Sequence, residues 1–264
     1  MNLRDKNVWI TGASSGIGAA SALEFAKQGA NVILSARREA ALLQVKADCE
    51  KLGVKAWVFP LDLSQTEAIA ELVERVIGQV GTIDILLNNG GISQRGEVKE
   101  TILAVDRRIM EVNFFGTVAL TKAVLPFMLK NGGGQIAVTS SVVGKLGFPL
   151  RSAYAASKHA LHGFFESMRI ELVKDNVGVT LICPGRIHTP ISQSALNGDG
   201  STWGKVDEGQ ATGMPVEVCA AKMVRAIRLG KKEVYIGWKE ALLIYIRRFF
   251  PALFYWLVGR VKAT

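Results

Sequence analysis

The sequence contains few cysteines, no leader pattern and no low-complexity linker. Its 264 residues include three cysteines, an odd number, far apart at positions 49, 183 and 219. That spacing fits neither a disulfide framework nor a zinc motif, so we expect no metal site and a reducing compartment such as the cytoplasm. The N-terminal residues enter a strand pattern at once, without a basic segment and an apolar run, so we expect no signal peptide.

Charge is also scarce over most of the chain. Charged residues make up 21% and hydrophobic residues 49%, which favours a buried core over disorder. The net charge is +9, but from residue 222 onward ten Lys and Arg face two Glu, a local net charge of +8. A nucleic-acid partner is therefore not expected, whereas a basic C-terminal segment facing an anionic surface is.

Short apolar runs alternate with longer helical patterns. Seven such runs are predicted strands, at 7–10, 31–36, 55–61, 83–89, 134–141, 178–185 and 232–237. The first six are mostly continuous apolar runs, which is typical of strands buried on both faces. Helices are predicted between them, at 16–28, 39–52, 65–80, 101–130, 154–174 and 215–229. This alternation predicts a single-domain α/β fold of the Rossmann-like, doubly wound type. Its parallel sheet should have about seven strands, with helices on both faces.

A long polar stretch rich in glycine, 185–214, interrupts that alternation. A loop of this length in a compact domain is typical of a binding lid. We therefore predict a catalytic domain over 1–238, with 185–214 as its substrate lid. A basic, apolar C-terminal tail follows over 239–264.

The segment VWITGASSGIGAA leads from the first strand into the first helix. Its glycines at 12, 16 and 18 would let the backbone turn tightly and approach a pyrophosphate, whose charge the free N–H groups of the helix start can bind. The spacing differs from the common G-x-G-x-x-G, and a simple turn is the alternative. Its place after the first strand of a βαβ series favours dinucleotide binding.

The second strand ends in SARR, where an NAD site usually carries an acidic residue. Arg37, and less strongly Arg38, could hold a 2′-phosphate with a fork of N–H donors. NADP(H) is therefore predicted in preference to NAD(H). The alternative is that both arginines are solvated residues at a helix start.

The segment YAASK places Tyr154 and Lys158 one helical turn apart, on one face. A free tyrosine has a pKa of about 10, and a nearby ammonium lowers it toward a useful range for proton transfer. Taken alone, such a pair is most often an accident of a surface helix.

Four motifs stand in one order: TGASSGIG at 11–18, NNGG at 88–91, SS at 140–141 and YAASK at 154–158. Together they resemble the short-chain dehydrogenase/reductase family over about residues 1–190. The family has Ala where this chain has Gly90. The resemblance implies hydride transfer between a nicotinamide cofactor and a carbonyl or alcohol.

The resemblance also implies roles for individual residues. Tyr154 would be the general acid/base, Lys158 would lower its pKa and bind the nicotinamide ribose, and Ser141 would hold the substrate oxygen. Ser141 is chosen over Ser140 because the family's serine lies thirteen residues before its tyrosine. Asn113 would hold a water molecule that links Lys158 to solvent. The implied cofactor-binding residues are Gly12, Ser14, Ser15, Gly16, Ile17, Gly18, Arg37, Asp62, Leu63, Asn89, Gly90, Tyr154, Lys158, Ile187 and Thr189.

Other features are less specific. His159 and His162 have no cysteine or carboxylate at ligand spacing, and His188 is expected to be a plain loop residue. The stripe FFESM at 164–168 lies on the face that forms a dimer in this family, so a homodimer or homotetramer is expected; the alternative is that the stripe is core.

The tail segment ALLIYIRRFFPALFYWLV, 241–258, is apolar but interrupted. Its ten Leu, Ile, Phe and Val residues favour membrane insertion by about −3 to −6 kcal/mol, and its two arginines oppose it by about +5 to +7 kcal/mol. Lying on an anionic membrane surface is therefore favoured over spanning. The alternative is a cover over the substrate cleft or a dimer contact. The tail and lid resemble the branch of the family around dehydrogenase/reductase family member 7.

These observations predict a cytoplasmic NADP(H)-dependent oxidoreductase, peripheral on the inner face of a membrane. It would reduce a lipophilic ketone or aldehyde, or oxidise the matching secondary alcohol. The alternative is a non-catalytic dinucleotide sensor or membrane scaffold, which the presence of all four catalytic residues disfavours.

Overall fold

The computed structural model describes residues 1–237 and 239–260. Within these residues a seven-stranded parallel sheet has the order β3-β2-β1-β4-β6-β7-β9. Its strands are β1 Asn7–Thr11, β2 Asn31–Ser35, β3 Ala56–Val58, β4 Ile85–Asn88, β6 Gly134–Thr139, β7 Val177–Pro184 and β9 Glu233–Ile236. The chain order reverses between β1 and β4, which creates a crevice at the carboxyl ends of these strands.

Ten α-helices lie within the described residues: α1 Gly16–Lys27, α2 Glu39–Glu50, α3 Ile69–Val80, α4 Leu103–Met110, α5 Gly116–Lys130, α6 Ser152–Glu171, α7 Glu208–Ala211, α8 Val216–Arg228, α9 Leu242–Phe249 and α10 Pro251–Val258. Helices α1, α2 and α8 cover one face of the sheet, and α3, α5 and α6 cover the other. The predicted doubly wound α/β fold is confirmed.

The central strands consist of apolar residues because both of their faces are covered. In β1, Val8 and Ile10 belong to one core cluster and Trp9 to the opposite one, and none of the three is exposed to solvent. The Trp9 indole N–H donates to Ser35 Oγ at 2.9 Å, so its single polar atom is satisfied inside the core. The two cores hold the carboxyl ends of the strands in fixed positions.

Helices α4 and α5 are joined through a π-helical turn, Glu111–Phe115. The resulting helix, Leu103–Lys130, is the one among the described residues that is long and apolar enough to cross a membrane. A core helix of a soluble protein passes the same criterion, and Ile109, Leu120, Val124 and Met128 of this helix are fully buried.

The lid, 185–214, contains more regular structure than a loop. It includes a 3₁₀ turn at Pro190–Ser192, a short strand β8 (Leu196–Asn197) and helix α7. Strand β8 pairs in parallel with β5 (Gln94–Arg95), which the sequence patterns missed because two residues show no periodicity. This small second sheet fastens the lid beside the carboxyl ends of the main strands.

The tail forms two helices, α9 and α10, with Phe250 between them. Pro251 begins α10, where a missing N–H costs no hydrogen bond. Phe254 and Val258 are buried against Val142 and Leu146. The predicted boundary between the catalytic domain and the tail adjoins Trp238. This residue lies outside the described residues, as do 261–264.

Candidate functional site

A cavity of about 1000 Å³ occupies the crevice between β1 and β4. It extends from the glycine turn after β1, across the ends of β4 and β6, to the lid. The tail contributes none of its lining among the residues that the structure describes. Helices α9 and α10 therefore do not cover this cleft, as the alternative for the tail had it. They pack on the loop that follows Ser141 instead.

The glycine turn is shaped by close backbone approaches. Gly12 has a φ of +66°, in the left-handed region that favours glycine. A Cβ on Gly18 would lie 2.2 Å from the carbonyl oxygen of Gly12. This close approach of two backbone segments leaves no room for a side chain at Gly18, as expected of a turn that binds an anion through its backbone N–H groups.

The NNGG segment is held against that turn by hydrogen bonds. The N–H groups of Asn89 and Gly90 both donate to Thr11 Oγ1 at 2.9 Å. Asn89 Nδ2 donates to the carbonyl oxygen of Thr11 at 3.1 Å, and Thr139 Oγ1 donates to Asn89 Oδ1 at 3.3 Å. Asn89 thus links β1, β4 and β6 at the floor of the cavity.

The far end of the cavity carries arginines and one carboxylate. Arg37 and Arg38 line it and are exposed, and Arg38 Nη2 donates to Ser14 Oγ at 3.3 Å and Ser15 Oγ at 3.2 Å. Burial acts to raise the pKa of Asp62, but hydrogen bonds from Ser64 and the charges of Arg108 and Arg37 outweigh it and lower that pKa. Asp62 is therefore a carboxylate at neutral pH, a hydrogen-bond acceptor only.

Tyr154 and Ser141 meet at the opposite end. Tyr154 lies in the first turn of α6. Ser141 lies two residues after the end of β6 and accepts a hydrogen bond from the Val143 N–H at 3.3 Å. Burial raises the pKa of Tyr154, while a hydrogen bond with Ser141 and the charges of Arg95 and Arg151 act to lower it.

Ser140, the alternative serine, also lines the cavity, but its hydroxyl contacts Lys158 and His162 rather than the tyrosine. It is 2% exposed, and its Oγ lies 3.0 Å from His162 Nε2 and donates to the carbonyl oxygen of Lys158 at 3.3 Å. Ser140 therefore braces β6 against α6, whereas Ser141 is the serine beside the tyrosine.

Lys158 is almost completely buried, at 4% exposure. Its Nζ donates to the carbonyl oxygen of Thr139 at 2.8 Å and lies 5.7 Å from the centre of the Tyr154 ring. Burial lowers the pKa of Lys158 to about 8, although the nearby Cys183 acts to raise it. The ammonium and the phenol therefore share one side of the cavity floor.

Asn113 lies in the π-helical turn and is fully buried. Its Oδ1 accepts from the Ile92 N–H at 2.8 Å, and its Nδ2 donates to the Ile92 carbonyl at 2.9 Å and to Ser157 Oγ at 3.0 Å. The side chain thus clamps the segment after β4 to α6, and it does not line the cavity. Its role in holding a water molecule stays a prediction.

The structure brings the other predicted cofactor residues to the cavity. Ile187 pairs with Met214 in an isolated parallel bridge, and Thr189 lies 3.4 Å from the position that a Cβ on Gly16 would occupy. Gly18 alone of the predicted cofactor set lies behind the lining. The set that lines the cavity is Gly12, Ser14, Ser15, Gly16, Ile17, Arg37, Asp62, Leu63, Asn89, Gly90, Tyr154, Lys158, Ile187 and Thr189.

Behind the floor lies a polar group that the sequence did not predict. His162, expected to have no ligand partners, has Cys183 Sγ at 3.7 Å from its Nε2 and Glu233 Oε1 at 3.6 Å from its Nδ1. Lys145 Nζ lies 2.8 Å from the same Glu233 oxygen and so already supplies a cation. Burial and Lys145 lower the pKa of His162 to about 4, which keeps the imidazole neutral.

Two further sets of side chains were missed because neither forms a local motif. Arg108 of α4 lines the cavity near Asp62. Arg95, Arg151 and Asp207 form a buried ion cluster beside Tyr154, although Arg95 and Asp207 are 112 positions apart in sequence. When no motif surrounds a charged residue, the sequence alone predicts that it lies on the solvent-exposed surface.

Comparison with known proteins decides the family. The model of the short chain dehydrogenase family matches residues 6–199. The chain belongs to the short-chain dehydrogenase/reductase family. A Drosophila melanogaster protein named dehydrogenase/reductase SDR family protein 7-like is 43% identical over 98% of this chain and 81% of its own. Dehydrogenase/reductase SDR family member 7B of Mus musculus is 39% identical over 96% and 80%.

Solved structures agree on the fold. A short chain dehydrogenase/reductase from Burkholderia phymatum, in complex with NAD, covers all of this chain and 98% of its own with a TM-score of 0.84 at 22% identity. A short-chain type dehydrogenase/reductase from Mycobacterium marinum has a TM-score of 0.79 at 26% identity, over 90% and 96% of the two chains. The predicted resemblance, including the branch, is confirmed.

Proposed function

We propose that this oxidoreductase is an NADP(H)-dependent enzyme that reduces a lipophilic ketone or aldehyde, or oxidises the matching secondary alcohol. The observation that carries the proposal is the convergence of Ser141, Tyr154 and Lys158 on the cavity that also contains the glycine turn. At this end of the crevice, the phenol beside an ammonium can transfer a proton, and the serine hydroxyl can stabilise an oxyanion by a hydrogen bond.

The residues present fit a dinucleotide. The close approach of Gly12 and Gly18 leaves a cradle that a Cβ would fill, and Ser14 and Ser15 line the same turn. The cradle would hold the pyrophosphate, Asp62 and Leu63 the adenine, Lys158 the nicotinamide ribose, and Ile187 and Thr189 the carboxamide. When bound, the cofactor gives or accepts the hydride.

Tyr154 then acts on the substrate oxygen. In reduction the phenol donates its proton to that oxygen, and in oxidation the phenolate removes a proton from the alcohol. The Lys158 ammonium favours the phenolate, Ser141 donates a hydrogen bond to the oxygen as charge develops, and Asn113 holds a water molecule for proton exchange with solvent.

A tyrosine substitution tests the function directly. Tyr154→Phe should lower turnover of cyclohexanone, menthone or decanal by at least ~10²-fold, because the proton donor is lost, while NADPH binding measured by fluorescence persists. Tyr235→Phe, at a tyrosine of β9 outside the cavity, should retain activity. Unchanged turnover in Tyr154→Phe would favour the alternative of a non-catalytic sensor or scaffold.

The preference for NADP(H) rests on the arginines after β2. Arg37 and Arg38 offer two guanidinium groups, and the Arg38 group lies over the serines of the cradle. Arg37→Ala should weaken NADPH binding at least ~10-fold and leave NADH binding nearly unchanged, because the contact with a 2′-phosphate is specific to NADPH. Equal losses for both cofactors would contradict this role.

Aliphatic side chains near the lid support a lipophilic substrate. Those that line this half of the cavity, beside several polar residues, include Ile92, Ile102, Val105, Val112, Ile191 and Leu196. Such a lining stabilises a bound apolar substrate, because binding removes the apolar surface of the lining and that of the substrate from water.

The tail supports a proposal for where that substrate comes from. One face of α9 and α10 is buried on the loop after β6, while the opposite face exposes Leu242, Tyr245, Phe249, Phe250, Leu253, Tyr255 and Trp256. The C-terminal region from residue 222 carries a net charge of +8. We propose that this face, called here the tail face, lies on the anionic cytoplasmic surface of a membrane, as a tail distinct from the catalytic domain.

Vesicle sedimentation tests the tail face. The protein should bind vesicles of phosphatidylcholine with one third phosphatidylserine, and Phe249→Glu/Trp256→Glu should weaken binding ~10-fold or more. Leu229→Glu, an exposed apolar residue after α8, is the matched control and should bind as the parent does. Equal binding by both variants would contradict the proposal.

A dimer or tetramer is proposed through the outer face of α5 and α6. Of the FFESM stripe, Phe165 and Met168 are core residues, which agrees with the alternative of a core stripe at these two positions. Phe164 packs edge-on against Phe114, and Phe115 is exposed beside them. Phe115→Glu should shift the oligomer toward monomer in sedimentation velocity.

A further inference from the structure

Arg95, Arg151 and Asp207 form a buried ion cluster at the base of the lid, called here the lid cluster. Arg95 Nε donates to Asp207 Oδ2 at 2.9 Å and to Oδ1 at 3.2 Å, and Arg95 Nη2 also contacts Oδ2. Arg151 Nη2 donates to the same Oδ2 at 2.9 Å. The side chains of Arg95 and Asp207 are 2% and 4% exposed, and that of Arg151 is 14% exposed.

The three residues come from separate segments. Arg95 belongs to β5, which follows the NNGG segment; Arg151 precedes the first turn of α6, which carries Tyr154; and Asp207 precedes α7 in the lid. The carboxylate of one lid residue therefore connects the lid to the tyrosine helix and to the segment after β4. The pairing of β5 with β8 and the donation of the Asp207 N–H to Ser192 Oγ at 3.3 Å fix the same part of the lid.

The cluster places charges of both signs close to Tyr154. The guanidinium groups of Arg95 and Arg151 and the carboxylate of Asp207 all lie at this end of the cavity. Both arginines act to lower the pKa of Tyr154, against the burial that raises it. Two other cations face this region: Arg186, whose guanidinium packs on Gly209 of α7, and Lys158, on the other side of the Tyr154 ring.

We propose that Asp207 is a positioning residue that couples seating of the lid to the proton affinity of Tyr154. With the lid seated, its carboxylate offsets one of the two guanidinium charges and holds the substrate side of the cavity closed. With the lid lifted, the carboxylate leaves and both positive charges act on the phenol. The lid thereby sets both the access to the site and the acidity of its acid/base. This inference rests on the proposed function of Tyr154.

Neutralising the carboxylate tests both effects. Asp207→Asn should loosen the lid and raise KM for menthone at least ~5-fold, because a charged hydrogen bond is lost. It should also lower the pH midpoint of kcat/KM for menthol oxidation by about 0.5 to 1 unit, since removing a negative charge near the phenol favours the phenolate. Glu208→Gln removes an exposed carboxylate one position away and should change neither quantity.

Removing a guanidinium should have the opposite electrostatic effect. Arg151→Met leaves Arg95 paired with Asp207 and removes one positive charge near the phenol, so the pH midpoint should rise by about 0.5 to 1 unit. In Asp207→Asn/Arg151→Met the net charge of the native cluster is restored. The midpoint should then return toward that of the parent while KM stays raised, which separates the charge from the tether.

Two measurements do not need turnover. Hydrogen exchange of residues 190–214 should accelerate in Asp207→Asn and not in Glu208→Gln. Tyrosinate absorbance, with the spectrum of the corresponding Tyr154→Phe double variant subtracted, should show the same opposite shifts of the Tyr154 pKa. Variants that fold, as judged by NADPH binding and Tm, but shift in the same direction or not at all would overturn the proposal. If the parent reduces none of the test carbonyls, the proposed function fails, whereas the exchange and absorbance results still decide the coupling.

Discussion

The two halves of the cavity are built in different ways. On the cofactor half, backbone atoms form the surface: the turn from Gly12 to Gly18 and the NNGG segment meet at distances that exclude side chains. On the lid half, side chains form it, and charged residues from distant segments, Arg95, Arg151 and Asp207, hold it together. A backbone surface tolerates almost no added atom, whereas a side-chain surface can change its charge and remain folded.

Adding one carbon atom to the backbone surface of the cofactor half should have the largest effect on cofactor binding and stability. A Cβ on Gly18 would lie 2.2 Å from the Gly12 carbonyl oxygen, and neither backbone segment can move away without disturbing the cradle. Gly18→Ala should therefore weaken NADPH binding at least ~10²-fold and cost about 1 to 3 kcal/mol of stability. Fluorescence titration and urea unfolding measure the two effects.

The matched control for that variant is Gly78→Ala. Gly78 also lies inside a helix, α3, but a Cβ there would meet no heavy atom within 4 Å. Alanine should stabilise the helix by roughly 0.5 to 1 kcal/mol and leave cofactor binding unchanged. If Gly18→Ala behaved as Gly78→Ala does, the cofactor half would not be defined by its backbone.

Lys158 lies where the halves meet, and its burial gives the next largest effect. Its pKa is lowered by burial to about 8 in the folded protein, against about 10.4 in an unfolded chain. Between these pH values the unfolded chain holds a proton that the folded protein has released. Stability contributed by this group therefore rises with pH, by on the order of 3 kcal/mol over the window.

Urea unfolding of the protein without cofactor at pH 7 and pH 9.5 measures this dependence. In Lys158→Met the increment should disappear, because the buried amine is absent. Groups far from residue 158 titrate alike in both proteins and cancel in the difference. The parent should gain stability relative to the variant as the pH rises. An unchanged difference between the two proteins at both pH values would show that the buried amine does not have a lowered pKa.

The sequence predicted well which residues meet at the glycine-turn end of the cavity, because the motifs there are local. The glycine turn, the NNGG segment and the Tyr154–Lys158 pair each occupy a few consecutive residues, and the strands that carry them are continuous apolar runs. Each of the seven strands of the main sheet overlaps a run that the sequence predicts to be a strand, and the order of motifs indicated the family.

The lid half was predicted poorly because its contacts are distant. Nothing near Arg95 indicates that Asp207 will bind it, and a two-residue strand such as β5 has too few residues to show alternation. The His162, Cys183 and Glu233 group is of the same kind, since a helix and two strands bring it together. The tail illustrates a third limit: its apolar residues were evident, but the loop on which Phe254 packs was not.

The smallest expected effect tests how closely side chains pack on the backbone of the cofactor half. Gly90 occupies the position where the family has alanine, and a Cβ there would lie 2.8 Å from Leu63 Cδ1, the free end of a side chain rather than backbone. Leu63 can rotate away, and alanine also reduces the entropy of the unfolded chain. Gly90→Ala should therefore keep stability within about 1 kcal/mol of the parent and weaken NADPH binding less than ~10-fold, through the displaced Leu63.

Gly90→Ala/Leu63→Val should recover part of that binding in the same titration, because the shorter side chain removes the contact. A loss as large as that of Gly18→Ala would mean that Leu63 is as immovable as the backbone and that the cofactor half is rigid in its side chains as well.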